Sequence, residues 1–181
     1  MQYPKDIITE VLMSEEEINI RSKEIATKIT KDYEDKNLVL VATLKGSIPF
    51  FSNIMKYVNL DCEIQFIRAS SYIGNTTTTM GNVKVSNQTE FDIKDKDILI
   101  IEDIVDSGLT AKSLFEYFNN KGCKSVNICS LLDKPSRRIV DVKPKYVGKE
   151  IEDKFVIGFG LDYNEKYRNL PFVGVINKKY I

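Results

Sequence analysis

Apolar and polar residues alternate along this chain in two rhythms. Over residues 14–31, Ile18, Ile25, Ala26 and Ile29 recur at the spacing of one helix face. Ser14-Glu15-Glu16-Glu17 ahead of them has the form of a capping box, with acidic side chains in the first turn, so a helix is predicted there. Leu38–Leu44, LVLVATL, is instead a near-continuous apolar run, the pattern of a strand buried on both faces. Lys45-Gly46-Ser47 ends it. Ile48, Phe51, Met55 and Val58, with Pro49 in the first turn, then predict a second helix. Residues 62–68 read as a strand and 98–101 as a strongly apolar one. Ala111, Leu114, Phe115 and Phe118 form a helical stripe closed by Gly122, and residues 125–132 give another strand. Residues 146–147, 155–159 and 172–176 are short strand candidates.

Strands alternating with helices predict an α/β fold with a central, mostly parallel sheet and right-handed crossovers. The core spans about residues 36–160. The terminal segments, about 1–13 and 161–181, fall outside the pattern and are expected to join as a small hood. Residues 71–90, SYIGNTTTTMGNVKVSNQTE, are polar and threonine-rich. A stretch of this length inside a compact domain predicts a mobile functional loop or irregular hairpin, here a catalytic lid over about 70–90.

Composition narrows the class. The chain has 181 residues, 43% of them apolar, which suits one domain with a sizeable core. Lys and Arg number 26, as do Asp and Glu, so no overall basic surface faces nucleic acid or anionic lipid, although a local basic pocket is open. MQYPKDIITE lacks a leader pattern and no apolar run approaches membrane-spanning length. The three cysteines, Cys62, Cys123 and Cys129, are irregularly spaced in or beside apolar runs, as expected of reduced thiols in a cytoplasmic protein. Histidine is absent. That excludes His-based zinc sites, Ser-His-Asp triads and imidazole acid–base chemistry, and leaves proton transfer to Asp, Glu, Lys, Tyr or Cys.

Ligands of an open parallel sheet sit at the carboxyl ends of its strands. At one such end stands ILIIEDIVDSGLT, residues 98–110. Four apolar residues deliver Glu102 and Asp103, adjacent carboxylates that repel unless a cation or hydrogen-bond donor intervenes. A vicinal diol or a magnesium ion would relieve them. Asp106-Ser107-Gly108-Leu109-Thr110 leads into a helix whose N-terminal N–H groups favour phosphate; Gly108 permits close approach and Ser107 and Thr110 add hydroxyls. Acceptors for a diol beside donors for a phosphate describe a ribose 5-phosphate site. An acidic helix cap is the plainer alternative.

This stretch closely resembles the ribose-phosphate signature of type I phosphoribosyltransferases, and the wider chain resembles their purine-salvage branch from the first strand to Ile176. Leu44-Lys45-Gly46-Ser47 matches the pyrophosphate loop, which in relatives carries a cis peptide before the lysine. Ser71-Tyr72 matches the start of the closing lid. Ser130-Leu131-Leu132-Asp133-Lys134 matches the strand end presenting a base-contacting lysine. Asp153-Lys154-Phe155-Val156 and Leu161-Asp162-Tyr163-Asn164-Glu165 match the purine-side segment, and Arg168 a pyrophosphate-binding arginine.

The resemblance implies transfer of a 5-phosphoribosyl group from phosphoribosyl pyrophosphate to N9 of hypoxanthine, and of guanine, giving IMP or GMP and pyrophosphate. It implies catalytic roles for Asp106 as proton acceptor, for Lys134, and for Ser71 and Tyr72 in the lid. Substrate contacts are implied for Lys45, Gly46, Glu102, Asp103, Ile104, Asp106, Ser107, Gly108, Leu109, Thr110, Lys134, Phe155, Val156, Leu161, Asp162 and Arg168. Mg2+ is implied near Glu102, Asp103 and Asp162. Phe155 is expected to stack on the purine and Val156 to meet its edge through backbone groups. The partners implied are these small molecules and further copies of the chain, as homodimer or homotetramer, with neither nucleic acid nor membrane.

Without the resemblance, Lys45 and Lys134 read equally as solvated lysines, Phe155 as core, and Arg168 as an ion pair with Glu165. A regulator of the same fold that binds phosphoribosyl ligands without catalysis is the main rival. A receiver-type phosphoacceptor would need an acidic pair after the first strand, where Lys45 stands. A dinucleotide-binding oxidoreductase would need a GxGxxG, which is missing.

Overall fold

The computed structural model describes residues 6–72, 82–86 and 92–181, with 70–72 and 82–86 as backbone only. A six-stranded sheet forms its centre. In chain order its strands are β2 (Leu38–Leu44), β3 (Glu63–Tyr72), β4 (Asn82–Ser86), β5 (Asp97–Val105), β6 (Ser125–Asp133) and β7 (Tyr146–Glu150). Their spatial order is β4-β3-β2-β5-β6-β7; every neighbouring pair is parallel except β3 with β4. Helices α1 (Glu15–Asp32), α2 (Ile48–Tyr57) and α3 (Leu109–Asn120) cover it.

The unbroken apolar run of β2 has a direct structural reading. Successive side chains alternate between two cores. Leu38, Leu40 and Ala42 pack with Ile18, Ile25 and Ile29 of α1 and Phe50 and Ile54 of α2. Val39 and Val41 pack on the other face with Ala111, Leu114 and Phe118 of α3. Buried on both faces, the strand has no room for polar alternation. Helix α1 starts as predicted, with Ser14 and Glu17 closing a reciprocal capping box.

Helix α2 differs from the expectation in phase. Ile48, Phe51, Met55 and Val58 form the stripe seen in the sequence, but Ile48 and Met55 are exposed while Phe50, Phe51 and Ile54 are buried. The segment IPFFSNIM carries two overlapping apolar stripes, and helical periodicity fits either; packing against the sheet selects one.

The ends of the chain build a second, three-stranded sheet from β1 (Ile8–Met13), β8 (Val156–Ile157) and β9 (Val173–Ile176), ordered β1-β9-β8. Ile7, Ile157, Leu170 and Ile176 form its own small core. The strand expected over residues 155–159 is only two residues long, because Gly158, Phe159 and Gly160 all turn into positive φ and leave the ladder. Among the described residues no helix is long and apolar enough to cross a membrane.

Candidate active site

The ends of β2, β5 and β6 meet at one edge of the sheet. A cavity of about 290 Å³ opens there, lined by Gly46 from the first loop and by Glu102, Asp103, Ile104, Asp106, Ser107, Gly108 and Thr110 from the second. Leu109 opens α3 directly behind. Gly108 caps that helix in the left-handed region, at φ 85°, without a side-chain cap. A Cβ there would come within 2.8 Å of Arg138 and Val140 side chains, so only glycine fits the turn that aims the helix N-terminus at the cavity. The Ser107 hydroxyl accepts from the Leu109 N–H at 3.4 Å.

The two carboxyls delivered by β5 have different surroundings. Glu102 is buried, at 6% exposure, and its Oε2 lies against the Thr43 hydroxyl. Thr43 Oγ1 is also 3.1 Å from the Ile101 carbonyl. A hydroxyl has one proton. That proton is shared between the Ile101 carbonyl and the Glu102 carboxyl, both of which accept from it. Burial first, and then the neighbouring Asp103, push the Glu102 pKa up to about 8. Its other oxygen, Oε1, is buried without a partner among the described residues. Asp103 is partly buried and also raised, chiefly by desolvation, although its own backbone and that of Ile104 donate to it and Arg168 acts in the opposite sense to burial.

A buried, adjacent pair of carboxyls with one orphaned oxygen suits a hard divalent cation, which would displace any proton they hold. Among the described residues, three or more ligating side chains do not gather at one point. Magnesium does not require that, since it is commonly held by one or two carboxylates, waters and phosphate oxygens of a substrate.

The first loop is set by close backbone approach. The peptide between Leu44 and Lys45 is cis, as the resemblance implied. A Cβ on Gly46 would fall 1.6 Å from Asp103 Oδ2, and one on Gly160 would fall 1.8 Å from the Gly46 carbonyl oxygen. The Asp103 carboxyl and the Gly160 backbone thus both press directly on Gly46. Lys45 itself pairs with Glu165 at 2.6 Å.

On the far side, β6 ends at Asp133 and delivers Lys134, whose side chain is only 8% exposed. Its Nζ lies 3.9 Å from both Asp106 and Asp153. Arg137, in the short helical turn Pro135–Arg137, contacts the same two carboxylates at 3.2 and 3.4 Å. Phe155 is exposed and meets Tyr163 edge-on at 5.8 Å, while Val156 lies in β8 opposite Val175. Leu161 is buried in the turn after Gly158, and Asp162 pairs with Arg168 at 2.9 Å. Arg168 also meets Glu165, as the plainer reading of the sequence supposed, and donates to the Gly160 carbonyl at 2.8 Å.

Ser71 and Tyr72 end β3, with backbone pairing to Val83 and Asn82 of β4. The remainder of the expected lid, residues 73–81 and 87–91, lies outside the described residues. Sequence reasoning missed Thr43 and Arg137. Thr43 is the one hydroxyl in a doubly buried strand, a trace that could have drawn attention; Arg137 reaches the site only through the turn after Pro135.

Comparison with known proteins agrees with this geometry. A phosphoribosyl transferase domain model matches residues 10–164. The hypoxanthine-guanine phosphoribosyltransferase of Streptococcus mutans is 46% identical, over 94% of each chain. That of Bacillus subtilis is 45% identical over 95% of each. The crystal structure of a hypoxanthine phosphoribosyltransferase from Staphylococcus aureus superposes with a TM-score of 0.90 at 44% identity, covering 96% of this chain and 94% of that one. With its central parallel sheet, its carboxyl-lined cavity at a helix N-terminus and these matches across nearly its whole length, the chain belongs to the phosphoribosyl transferase family.

Proposed function

We propose that this enzyme serves purine salvage by transferring the 5-phosphoribosyl group of phosphoribosyl pyrophosphate to N9 of hypoxanthine, and of guanine, with release of pyrophosphate. The observation that carries the reading is the cavity itself: carboxyls at one wall, the bare N-terminus of α3 at the other, and a buried lysine beside it. Glu102 and Asp103 accept from the ribose hydroxyls, and Ser107, Gly108, Leu109 and Thr110 surround the 5-phosphate. Ile104 lines the wall between. Lys45, the Gly46 backbone and Arg168 receive the pyrophosphate, Arg168 with the planar fork suited to phosphate oxygens.

Lys134 can only donate, which favours a 6-oxopurine over adenine. Phe155 offers an exposed ring for stacking, with Val156 and Leu161 setting the edge of the base site. Asp106 is the proton acceptor for the purine as N9 becomes substituted. No histidine competes for that role, and Lys134 and Arg137 hold its carboxylate at the cavity rim. Asp103 and Glu102 would hold one Mg2+ and Asp162 would lie near a second, and these ions when bound would supply positive charge opposite the leaving pyrophosphate. Ser71 and Tyr72 would open the lid that excludes water.

The curated relatives carry the names of enzymes, which favours catalysis over ligand-binding regulation. Ile48 and Met55 of α2 and Ile64 and Phe66 of β3 are exposed large apolar side chains, which supports self-association as dimer or tetramer. Three unpaired thiols fit a cytoplasmic location. The deciding experiment is a magnesium-dependent assay of pyrophosphate release with phosphoribosyl pyrophosphate and each of hypoxanthine, guanine, xanthine and adenine. Turnover with hypoxanthine and none with adenine is expected; adenine as the best substrate, or no turnover with any base, would refute the assignment.

A further inference from the structure

The two cations assigned to pyrophosphate already have an occupant. Glu165 spans them with one oxygen each: Oε2 accepts from Lys45 Nζ at 2.6 Å and Oε1 from Arg168 at 3.1 Å. Its own backbone N–H donates to Asp162 Oδ2 at 2.9 Å, and Asp162 Oδ1 takes Arg168 at 2.9 Å. Asn164, Glu165 and Tyr167 all adopt positive φ. Asparagine tolerates that region, but glutamate and tyrosine rarely adopt it, so the backbone is held in an unfavourable conformation that brings this carboxylate to the two cations. Meanwhile Arg168 Nε is buried without an acceptor among the described residues. The carboxylate therefore reproduces part of a phosphate's contacts and leaves one donor of the fork unused.

Resting on the pyrophosphate assignment of Lys45 and Arg168, we propose that Glu165 is a resident counter-ion: it holds both cations in the ligand-free enzyme, yields them to the incoming pyrophosphate group, and takes them back to speed pyrophosphate departure. Lys45 first, and then Arg168, draw the Glu165 carboxyl below its usual range, so the occupant is charged throughout the neutral range. Lys45 and Glu165 are more than half exposed, so the exchange needs no rearrangement of the core. Because such exposed pairs are weak, the competition is mild, which suits a group that must leave on every turnover.

The test is calorimetric titration of magnesium pyrophosphate into the wild type, Glu165→Gln, Lys45→Ala and Arg168→Ala, with pyrophosphate release followed by stopped flow. Glu165→Gln should bind about two- to fivefold more tightly and release pyrophosphate correspondingly more slowly, while the two cation variants bind more weakly. If the cation variants weaken binding and Glu165→Gln leaves it unchanged or also weakens it, Glu165 merely shapes the loop and the counter-ion role is refuted. If the cation variants bind as the wild type does, the pyrophosphate assignment fails, and this inference with it.

Discussion

Replacing Glu102 with glutamine should make the metal-free protein more stable, by an amount that grows with pH. Burial pushes the carboxyl up to about 8 in the fold, against 4.5 for the free side chain. A raised acid pKa means that the folded state holds its proton longer than the unfolded one. The associated stability is fully present below pH 4.5 and is lost as pH rises toward 8. The loss amounts to about 3 kcal/mol at pH 7 and up to about 5 kcal/mol above pH 8. Against a typical total of about 5–15 kcal/mol, that is large. Glutamine cannot titrate, and its amide oxygen can accept from Thr43 as the carboxyl does. Urea denaturation of both proteins with EDTA, at pH 5, 7 and 8.5, provides the assay. The variant should gain little at pH 5 and several kcal/mol at pH 8.5. A difference between the two proteins that stays flat across this range would refute the protonated, buried Glu102 described above.

Two further substitutions probe the proposed chemistry. Asp106→Asn should retain phosphoribosyl pyrophosphate binding by calorimetry yet lose turnover by about 10²–10⁴-fold; a wild-type rate would remove Asp106 as the proton acceptor. Gly46→Ala places a methyl 1.6 Å from Asp103 Oδ2 and must displace that carboxyl or the loop, so affinity for phosphoribosyl pyrophosphate should fall more than tenfold while denaturation changes far less; unaltered affinity would show that Gly46 does not position the pyrophosphate loop.

How far the site could be read in the sequence depended on how local its determinants are. Residues 102–110 and α1 were legible because strand end, cap and helix start are contiguous: Ser14 and Glu17 lie within one turn, and so do Gly108 and Thr110. The inward face of α2 was not, because its two apolar stripes are equivalent until the sheet packs against one of them. Thr43 was hidden for a similar reason: its partner Glu102 is 59 residues away, on a neighbouring strand. The ring of Asp106, Lys134, Arg137 and Asp153 likewise joins three segments that only the fold brings together. The resemblance supplied Lys134 and Arg168, whose residue types alone would have suited any surface. It gave no hint of Arg137.

The pairing of β8 with β9 bears on how the enzyme matures on the ribosome. The loop that we propose holds the phosphorylated ribose, residues 102–110, is translated well before the last strand exists. Phe155 and Val156 are different. Among the described residues, Val156 and Ile157 find their strand partners in Val175 and Gly174, and the Phe155 carbonyl accepts from the Ile176 N–H. On the proposed assignment, the nascent chain can therefore possess its sugar pocket while its base platform still lacks strand partners, and purine recognition would be one of the last properties synthesis confers.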